Sequence, residues 1–430
     1  MINLKREDFI NQYPPLNHMG RTEIENIWEL PCFHLYVHIP FCVWKCGFCY
    51  YKSVAAGKKG VPEEYVEAIK TQIKAYASMP ELKNRRVRSL YIGGGTPTLL
   101  SEEQLNSLLS LIKESFEFTQ DFEFCCEARP GSETTLSKLE ILKSFGLHRL
   151  NLGCQSLDEE ILKINGCNHG VEEFYTVFKH AKKVGIRTIN TDLLSGLVNE
   201  TMESFLRTVN GIIELRPENI AIYKMEVYLN SALYKKLRDG SIKLMSDKEE
   251  EQHTRMAFAR FLEAGYLQAD HFSFYTGPEH DHVHRRGQWL GEDLLGVGAS
   301  SYSRINSHLF QNESRVDVYI NKISQGELPI VRAHKISQKE KMIQRVVLSL
   351  KNLKISRAEF LDEFGVDLLD VFPDQFTQLS NEGFLNIYED RIESTFEGTV
   401  FADDIAKVFY LPEHRSMMLG HAKRSEECVV

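Results

Sequence analysis

Three closely spaced cysteines constrain this chain more than any other feature of its sequence. Cys42, Cys46 and Cys49 have the spacing Cys-x3-Cys-x2-Cys and directly follow the strand-like run 34–39. Three thiolates on one compact loop can bind three irons of a cubane 4Fe–4S cluster. The fourth iron would then have no protein ligand, and an open position on a metal is where substrate chemistry takes place. The stretch therefore predicts a catalytic iron–sulfur centre.

A structural zinc site or three core cysteines are the alternatives for this stretch. Structural zinc sites are tetrahedral and need a fourth ligand at a fixed offset. No second Cys-x2-Cys or His-x3-His pair follows nearby. The aromatic and proline neighbours of the loop also favour a built cluster site, so we rank both alternatives below the cluster.

The bulk properties of the sequence limit its function class. The chain has 430 residues, a net charge of −9 and nine irregularly spaced cysteines, which indicate reduced thiols and a metal site. Its charge argues against a nucleic-acid-binding surface. No apolar run approaches the roughly 18 residues that cross a membrane, and the first residues lack a signal-peptide core. We therefore expect a cytoplasmic monomer that acts on a small molecule, without nucleic acid or membrane.

Strand-like and helical segments alternate along the first half of the chain. Strands are predicted at 34–39, 87–92, 122–127, 149–153, 188–194 and 219–223. Helices are predicted between them, one of which has Ser101 and Gln104 as a capping box at its start. This alternation is typical of parallel strands with right-handed crossovers. Six units between residue 34 and about residue 240 are too few for a closed eight-stranded barrel, so the predicted fold is a partial (β/α)6 TIM-like barrel.

The predicted domains extend beyond this barrel. Residues 1–33 are interpreted as an N-terminal arm, 34–240 as the barrel, 241–334 as a barrel extension and active-site cover, 335–412 as a winged-helix-like domain, and 413–430 as a tail. Acidic residues crowd the winged-helix-like region, which favours a structural or partner-binding role over DNA binding. The short tract of His280, His282 and His284 could bind metal, but a polar loop over the active site is the favoured interpretation.

Four motifs, in this order, resemble those of radical S-adenosylmethionine (SAM) enzymes, and of their oxygen-independent coproporphyrinogen III oxidase-like branch. They are Cys42-x3-Cys46-x-Phe48-Cys49, Gly93-Gly-Gly-Thr-Pro-Thr98, Arg149-Leu-Asn-Leu-Gly-Cys-Gln155-Ser and Asn190-Thr-Asp192-Leu-Leu-Ser-Gly196-Leu. The resemblance covers about residues 34 to 400 and includes the winged-helix-like region. It identifies the superfamily and the branch, but not one reaction.

The resemblance implies cofactors, partners and site residues. It implies a 4Fe–4S cluster on Cys42, Cys46 and Cys49, whose open iron binds SAM and releases a 5′-deoxyadenosyl radical. It also implies an electron donor such as flavodoxin or ferredoxin. Matching motif positions assign the first SAM to Tyr36, Gly94, Gly95 and Glu127, and a second SAM to Phe48, Thr96, Gln155 and Asp192. The other cysteines are expected to be dispensable for the cluster.

The preferred reaction is chosen from two positions at which this sequence differs from the motifs of the branch. Cys167 stands where porphyrinogen oxidases have an arginine that helps to hold the second SAM, and Cys49 continues into Tyr50 and Tyr51. This continuation is more similar to class C radical SAM methyltransferases and cyclopropanases. The preferred hypothesis is therefore the transfer of a methyl or methylene unit from a second SAM to an sp2 carbon, with a natural-product intermediate or a tetrapyrrole as substrate.

Two alternatives stay open. Coproporphyrinogen III oxidative decarboxylation would need several arginines around the pocket, and Arg285, Arg286 and Arg304 form the obvious nearby set. A haem-handling protein would keep the fold but use it for binding, with the three histidines of the 280–284 tract as candidate axial ligands.

Overall fold

Six neighbouring parallel strands form the centre of the fold. The computed structural model describes residues 10–20, 24, 27, 32–83, 85–228 and 231–415. The first half of the chain contains β1 (Cys32–Ile39), β2 (Phe41–Cys42), β3 (Val54–Ala55), α1 (Glu63–Ala77), β4 (Arg86–Gly94), α2 (Glu102–Ser115), β5 (Glu117–Ala128), α3 (Leu136–Ser144), β6 (Arg149–Gln155), α4 (Glu159–Ile164), α5 (Val171–Val184), β7 (Thr188–Ser195), α6 (Met202–Leu215) and β8 (Asn219–Lys224). Strands β1, β4, β5, β6, β7 and β8 pair in parallel in this order. The predicted partial barrel is confirmed.

The helices cover the outer face of this sheet because their apolar residues repeat with helical periodicity. In α5 the buried residues are Phe174, Val177, Phe178 and Ala181, and the helix ends at Gly185 in the left-handed conformation, with φ of 76°. The predicted capping box of α2 is present, since Ser101 accepts from the backbone N–H of Gln104 and its own N–H donates back to the Gln104 side chain. Outward-facing strand residues and these helices form one continuous apolar core.

The next segment extends the sheet at both edges. It contains α7 (Ala232–Arg238), α8 (Asp247–Glu263), β9 (Leu267–Asp270), β10 (Ser273–Tyr275), α9 (Val283–Leu290), β11 (Leu294–Val297), β12 (Tyr302–Ile305), β13 (His308–Asn312), α10 (Val316–Ser324) and β14 (Ile330–Lys335). Strand β11 pairs in parallel with β1, whereas β12, β13 and β14 continue in antiparallel order beyond it. Strands β10 and β9 add antiparallel pairs beyond β8. The twelve strands described in this sheet therefore form an open sheet and not a closed barrel.

Helix α9 closes the end of the barrel at which the parallel strands begin. Arg149, at the start of β6, donates from Nη2 to the carbonyl oxygens of His280 and Asp281 at 2.6 and 3.0 Å. The backbone N–H of His284 donates to Glu123 of β5 at 3.2 Å. Because one end is closed in this way, the interior opens toward the carboxyl ends of the strands.

The C-terminal region packs against this closed end. It consists of α11 (Gln338–Lys351), β15 (Lys354–Ser356), α12 (Arg357–Phe364), α13 (Leu368–Val371), α14 (Pro373–Asn381), β16 (Leu385–Ile387), β17 (Arg391–Ser394), α15 (Phe396–Val400) and α16 (Ala402–Lys407). Strands β16 and β17 form an antiparallel hairpin with β15 on its other side, which gives the wing. Buried Lys351 forms an ion pair with Asp403 and lies 4.8 Å from the ring centre of Trp289 in α9. This cation joins the C-terminal region to the barrel.

The histidine tract does not lie on a strand. His280 ends a short 3-10 helix, His282 caps α9 and His284 lies within α9. Much of the predicted arm and residues 416–430 of the predicted tail fall outside the described residues. Among the described helices, none combines the length and the apolar character needed to cross a bilayer.

The buried ion pair of Arg149 and Glu123 offers a test of the closed barrel end. The Nε of Arg149 lies 2.9 Å from Glu123 Oε1, and the arginine side chain is 1% exposed. Replacement of Arg149 by Met leaves the Glu123 carboxylate without its cation. It also removes the two hydrogen bonds to the backbone just before α9. We expect the free energy of unfolding to fall by about 3–5 kcal/mol in urea denaturation. The double variant Arg149→Met/Glu123→Gln should recover part of this loss, and a single variant within about 1 kcal/mol of the parent would contradict the role of the pair.

Candidate active site

The cysteine loop lies directly above the carboxyl end of β1. Its centre is held by two backbone hydrogen bonds, from the Gly47 N–H to Asn165 O at 3.0 Å and from the Leu233 N–H to Gly47 O at 2.9 Å. A Cβ atom on Gly47 would lie 2.7 Å from Asn165 O, so this close approach requires glycine. The three thiols of the loop are half-buried and border the interior cavity.

The glycine-rich loop after β4 braces the cysteine loop. The N–H of Gly95 donates to Ile39 O and the N–H of Thr96 donates to Phe41 O, each at 2.8 Å. Gly94 has φ of 113°, and a Cβ there would lie 2.5 Å from the His38 ring. The Gly94 N–H donates to Glu127 Oε2 at 2.8 Å. The amides of Gly94 and Gly95 are thus engaged by the protein, and the loop offers a ligand a backbone surface without side chains.

Glu127 is held by neutral hydrogen-bond donors. Tyr91 Oη donates to Glu127 Oε1 at 2.6 Å, and Asn151 Nδ2 donates to Tyr91 Oη at 3.0 Å. Burial raises the pKa of Glu127, while the hydrogen bonds from Tyr91 and Gly94 oppose this rise. Burial also raises the pKa values of Tyr36 and Tyr91 well above the usual value for tyrosine, so both phenols are protonated. The carboxyl group of Glu127 therefore has a fixed orientation at the cavity wall.

Gln155 is the last residue of β6, and Asp192 lies on β7, three residues before that strand ends. Asn190 Nδ2 donates to Asp192 Oδ1 at 2.7 Å, and burial raises the pKa of Asp192 to about 7. Gln155 adopts a left-handed backbone conformation with φ of 67°, at a register shift between β6 and β7. Strained backbone of this kind is found preferentially at functional sites. Phe48 packs against a separate small apolar cluster, and buried Thr96 contacts the Cys42 thiol through its hydroxyl.

One cavity of about 520 Å³ connects these groups. The residues predicted for the cluster and for SAM all border it, namely Tyr36, Cys42, Cys46, Phe48, Cys49, Gly94, Gly95, Thr96, Glu127, Gln155 and Asp192. Its size is within the range of about 300–1,000 Å³ for small-molecule sites. The structure thus brings together residues that are up to 156 positions apart in the sequence, from Tyr36 to Asp192.

The cavity also contains residues that the sequence analysis missed. They are Tyr91, Asn151, Asn190 and Tyr223, together with an aromatic wall of Tyr50, Tyr51, Phe258, Phe272, Trp289, Tyr302 and Phe401. A signal for the strand residues was available. Polar or tyrosine side chains at alternate positions of otherwise apolar parallel strands face the barrel interior. The aromatic wall comes from loops, from α8, α9 and β12, and from the C-terminal region, and local periodicity does not predict that these segments meet.

The arginines proposed for a carboxylate-rich substrate are not gathered at the cavity. Of Arg285, Arg286 and Arg304, only Arg285 borders it. Arg285 Nε lies 2.7 Å from Asp270, and its Nη2 donates to Ser273 Oγ at 2.7 Å. Arg286 pairs with Asp281 at 2.9 Å, and Arg304 donates to backbone carbonyl groups.

The histidines of the tract take separate positions. His282 and His284 border the cavity behind Tyr91, with ring centres 6.4 Å apart, and burial lowers both pKa values well below the usual value. His280 instead contacts the Thr188 hydroxyl at 2.8 Å through Nδ1. The three histidines therefore do not converge on one metal, and only two of them face the site.

Cys167 lies beside the cysteine loop. Its thiol is within hydrogen-bonding reach of the Cys46 thiol, and this contact lowers the pKa of Cys46. Burial raises the pKa of Cys49 to about 11 and also raises that of Cys42. Three half-buried thiols at one end of a cavity, with an unobstructed glycine loop opposite, fit a cluster that keeps one iron open to a ligand.

Comparison with known proteins supports this interpretation. The model of the radical SAM superfamily matches residues 36–211. The match shows that this part of the chain is similar to radical SAM domains. The chain is 27% identical over 379 residues to the heme chaperone HemW of Bacillus subtilis, covering 87% of this chain and 98% of the relative. It is 26% identical over 390 residues to the oxygen-independent coproporphyrinogen III oxidase of Escherichia coli, covering 87% and 84%.

A solved structure gives the same result for the fold. The coproporphyrinogen III oxidase HemN from Escherichia coli superimposes with a TM-score of 0.81 and 24% sequence identity, over 93% of this chain and 96% of that chain. The radical SAM domain carries a 4Fe–4S cluster and SAM as its cofactors, as the sequence analysis predicts. Over most of its length the chain is therefore similar to coproporphyrinogen III oxidases and to a heme chaperone, and it shares the fold of the solved oxidase.

The preferred hypothesis of one-carbon transfer by a methyltransferase or cyclopropanase is wrong. The relatives that match over 87% of the chain are coproporphyrinogen III oxidases and a heme chaperone. The hypothesis depended on the continuation Cys49-Tyr50-Tyr51. In the structure Tyr50 and Tyr51 stack at 4.3 Å, and Tyr50 also lies 4.1 Å from the Tyr228 ring centre. The two tyrosines form part of the cavity wall. The Cys-Tyr-Tyr sequence is therefore explained by local packing and does not determine the reaction.

The raised pKa of Asp192 predicts a pH dependence of stability. Asp192 ionises at about pH 7 in the folded chain, but near its ordinary value of about 4 in the unfolded chain. Between these values the folded chain binds more protons, so the free energy of unfolding falls as pH rises toward 7. The Asp192→Asn variant has no carboxyl group at this position, so its free energy of unfolding should not show this decrease. In urea denaturation without SAM, its stability relative to the parent should increase from pH 5 to pH 8.

A matched control is Asp247→Asn, because Asp247 is exposed and pairs with Lys224 at 3.0 Å on the surface. Its stability difference from the parent should change little over the same range. A constant difference for Asp192→Asn across this range would show that the carboxyl group does not titrate differently in the two states.

Proposed function

We propose that this chain generates a 5′-deoxyadenosyl radical and uses it in the oxidative decarboxylation of a tetrapyrrole with propionate side chains, of the coproporphyrinogen III type. Bound at the cysteine loop, the cluster and SAM supply the radical. The overall step removes one hydrogen atom from the propionate carbon next to the ring, releases carbon dioxide, leaves a vinyl group and passes one electron to an acceptor. The relatives and the cavity support this assignment over a transferase reaction.

The observation that best supports this proposal is that one cavity connects the three thiols with a wall of aromatic side chains. Tyr50 and Tyr51 stack on each other, the Tyr228 ring lies tilted against Tyr50, and Phe272 and Trp289 also border the cavity. Planar aromatic surfaces suit a large, flat and mainly apolar macrocycle. A substrate bound against this wall would present its edge to the glycine loop, where water is excluded.

Each polar group of the cavity has a proposed task. Cys42, Cys46 and Cys49 are the cluster ligands. Tyr36, Glu127 and the surface at Gly94 and Gly95 position the first SAM, whose amino group and sulfonium are cationic and suit a buried carboxylate. A second SAM would lie against Phe48, Thr96, Gln155 and Asp192.

Arg285 is the proposed contact for a substrate carboxylate. Its two described contacts, with Asp270 and Ser273, use Nε and Nη2. They leave Nη1 for a bound carboxylate, and the ring of Phe272, 4.9 Å from the guanidinium carbon, fixes the side chain. Asp270 orients the guanidinium and does not contact the substrate.

Haem binding is the second candidate, favoured by the match to nearly the full length of the heme chaperone HemW. In this reading the aromatic wall would bind haem, and His282 would be the candidate axial ligand. His282 Nε2 lies 3.5 Å from Cys125 Sγ, whereas its Nδ1 is buried without a partner among the described residues.

The experiment that separates the two candidates is anaerobic turnover. The chain is reconstituted with iron and sulfide and given SAM, dithionite and coproporphyrinogen III, with an electron acceptor. Decarboxylation predicts 5′-deoxyadenosine together with a product lighter by carbon dioxide and two hydrogens, measured by mass spectrometry. Haem binding without this product, shown by a Soret band that shifts on titration, would favour the second candidate and refute the first.

The Arg285→Gln variant tests the carboxylate contact in the same assay. Loss of one charge-assisted hydrogen bond costs about 1.5–3 kcal/mol, so kcat/KM should fall by about 10- to 150-fold. The loss should appear mainly in KM, while SAM cleavage without substrate is retained. Arg286→Gln is the matched control, because Arg286 lies next in sequence but does not border the cavity. Equal losses in both variants would contradict the proposed contact.

The cluster ligands can be tested against a neighbouring thiol. Cys46→Ala should abolish the broad visible absorbance of the reconstituted cluster and all SAM cleavage, because two thiolates do not retain the cubane. Cys167→Ala should keep both, although the Cys167 thiol contacts that of Cys46. Iron and sulfide content per chain is the direct measurement. A cluster in Cys46→Ala, or its loss in Cys167→Ala alone, would overturn the ligand assignment.

A further inference from the structure

Three histidines and a glutamate from three separate parts of the chain, none of them in the cysteine loop, converge at one point. His18 ends the short 3-10 helix Leu16–His18, His334 lies on β14, Glu340 lies in the first turn of α11, and His414 follows α16. Ligand atoms of His18, His334 and Glu340 all lie within 4.8 Å of one another. The Nε2 of His414 reaches the same carboxylate oxygen at 3.7 Å.

The distances around Glu340 Oε1 match those between the ligands of a metal. This oxygen lies 3.0 Å from His334 Nε2, 3.7 Å from His414 Nε2 and 3.9 Å from His18 Nε2. In a tetrahedral zinc site with bonds of about 2.0–2.1 Å, neighbouring ligand atoms are about 3.3 Å apart. Only the contact with His334 is short enough for a hydrogen bond, so hydrogen bonding to the glutamate does not explain why the other two imidazoles lie here.

The surrounding contacts already orient these side chains. Glu340 Oε2 accepts from the Ser337 N–H and hydroxyl at 2.8 and 2.7 Å, which leaves Oε1 facing the histidines. His414 Nδ1 contacts the Tyr13 hydroxyl at 2.8 Å, which leaves its Nε2 facing Oε1. Metal-binding histidines are commonly fixed in this way through their second ring nitrogen.

The imidazole rings also pack face to edge around this point. The ring centres of His18 and His334 are 4.7 Å apart, and those of His18 and His414 are 4.4 Å apart. His414 and Glu340 are almost fully buried, with side-chain exposures of 1% and 7%. Clustered imidazoles with one carboxylate form a donor set that prefers a divalent transition-metal ion such as zinc.

We propose that His18, His334, Glu340 and His414 bind a zinc ion that fastens the N-terminal arm to the barrel extension and to the C-terminal region. The arm adjoins the active site, since Asn11 borders the cavity and the Ile10 N–H donates to Asp403 Oδ1 at 3.1 Å. The site is separate from the cluster cysteines, and its role is structural, because three imidazoles and one carboxylate would supply all four ligands of a zinc ion.

The test uses the untagged full chain with its reconstituted iron–sulfur cluster, so that the cysteine thiols are occupied. Zinc is titrated in competition with a chromophoric chelator, and zinc and iron are counted by mass spectrometry. We expect one zinc per chain beyond the cluster iron. X-ray absorption at the zinc edge should show nitrogen and oxygen ligands without sulfur.

The His334→Ala variant should bind zinc at least about ten-fold more weakly, and zinc should no longer raise its melting temperature. His308→Ala is the matched control, because His308 lies on neighbouring β13 and contacts Asn306 O at 2.9 Å, outside the group. His18→Asn is a second variant that spares the β14 and α11 packing. Absence of zinc binding, sulfur ligands at the zinc, or unchanged affinity in both His334→Ala and His18→Asn would overturn the proposal.

Discussion

The pairing register of β1 with β4 is the constraint on which the whole site depends. Ile39 pairs with Gly94, so the two loops that follow these strands start at the same level. Their backbones then join through the hydrogen bonds from Gly95 to Ile39 and from Thr96 to Phe41. A shift of one residue would turn Tyr36 and Tyr91 away from the interior and separate the thiols from the glycine loop. Cluster position and substrate cavity therefore follow from one parallel strand pair.

The strand pairing also determines which polar side chains face the cavity, and these side chains determine which ligands the cavity can bind. Glu127 and Asp192 are carboxyl groups with raised pKa values, and the neighbouring phenols are neutral. Burial of an ionised carboxylate costs free energy unless a cation faces it. A cationic ligand such as SAM offsets this cost when it binds. A substrate carboxylate would need the opposite charge, and Arg285, which borders the same cavity, is the proposed contact.

Sequence reasoning predicted the barrel and the residues that border the cavity. Strand periodicity depends on the local sequence pattern alone, and the carboxyl ends of parallel strands meet at one edge of a sheet. It did not predict the reaction, since Tyr50 and Tyr51 belong to a stacked wall whose partner Tyr228 lies far away in the sequence. It also favours a polar loop for the histidine tract, whereas His280 ends a short 3-10 helix and α9 begins at Val283. Contacts between distant segments, such as His18 with His414, have no signature in local periodicity.

The C-terminal region gains its role from these distant contacts and not from its winged-helix-like shape. Tyr13 of the arm lies 4.7 Å from the Tyr410 ring centre, and Gln344 of α11 donates to the Tyr13 carbonyl oxygen. Lys351, two turns further along α11, pairs with Asp403, which also accepts a hydrogen bond from the Ile10 N–H. The same helix thus holds both the arm and the segment that borders the cavity.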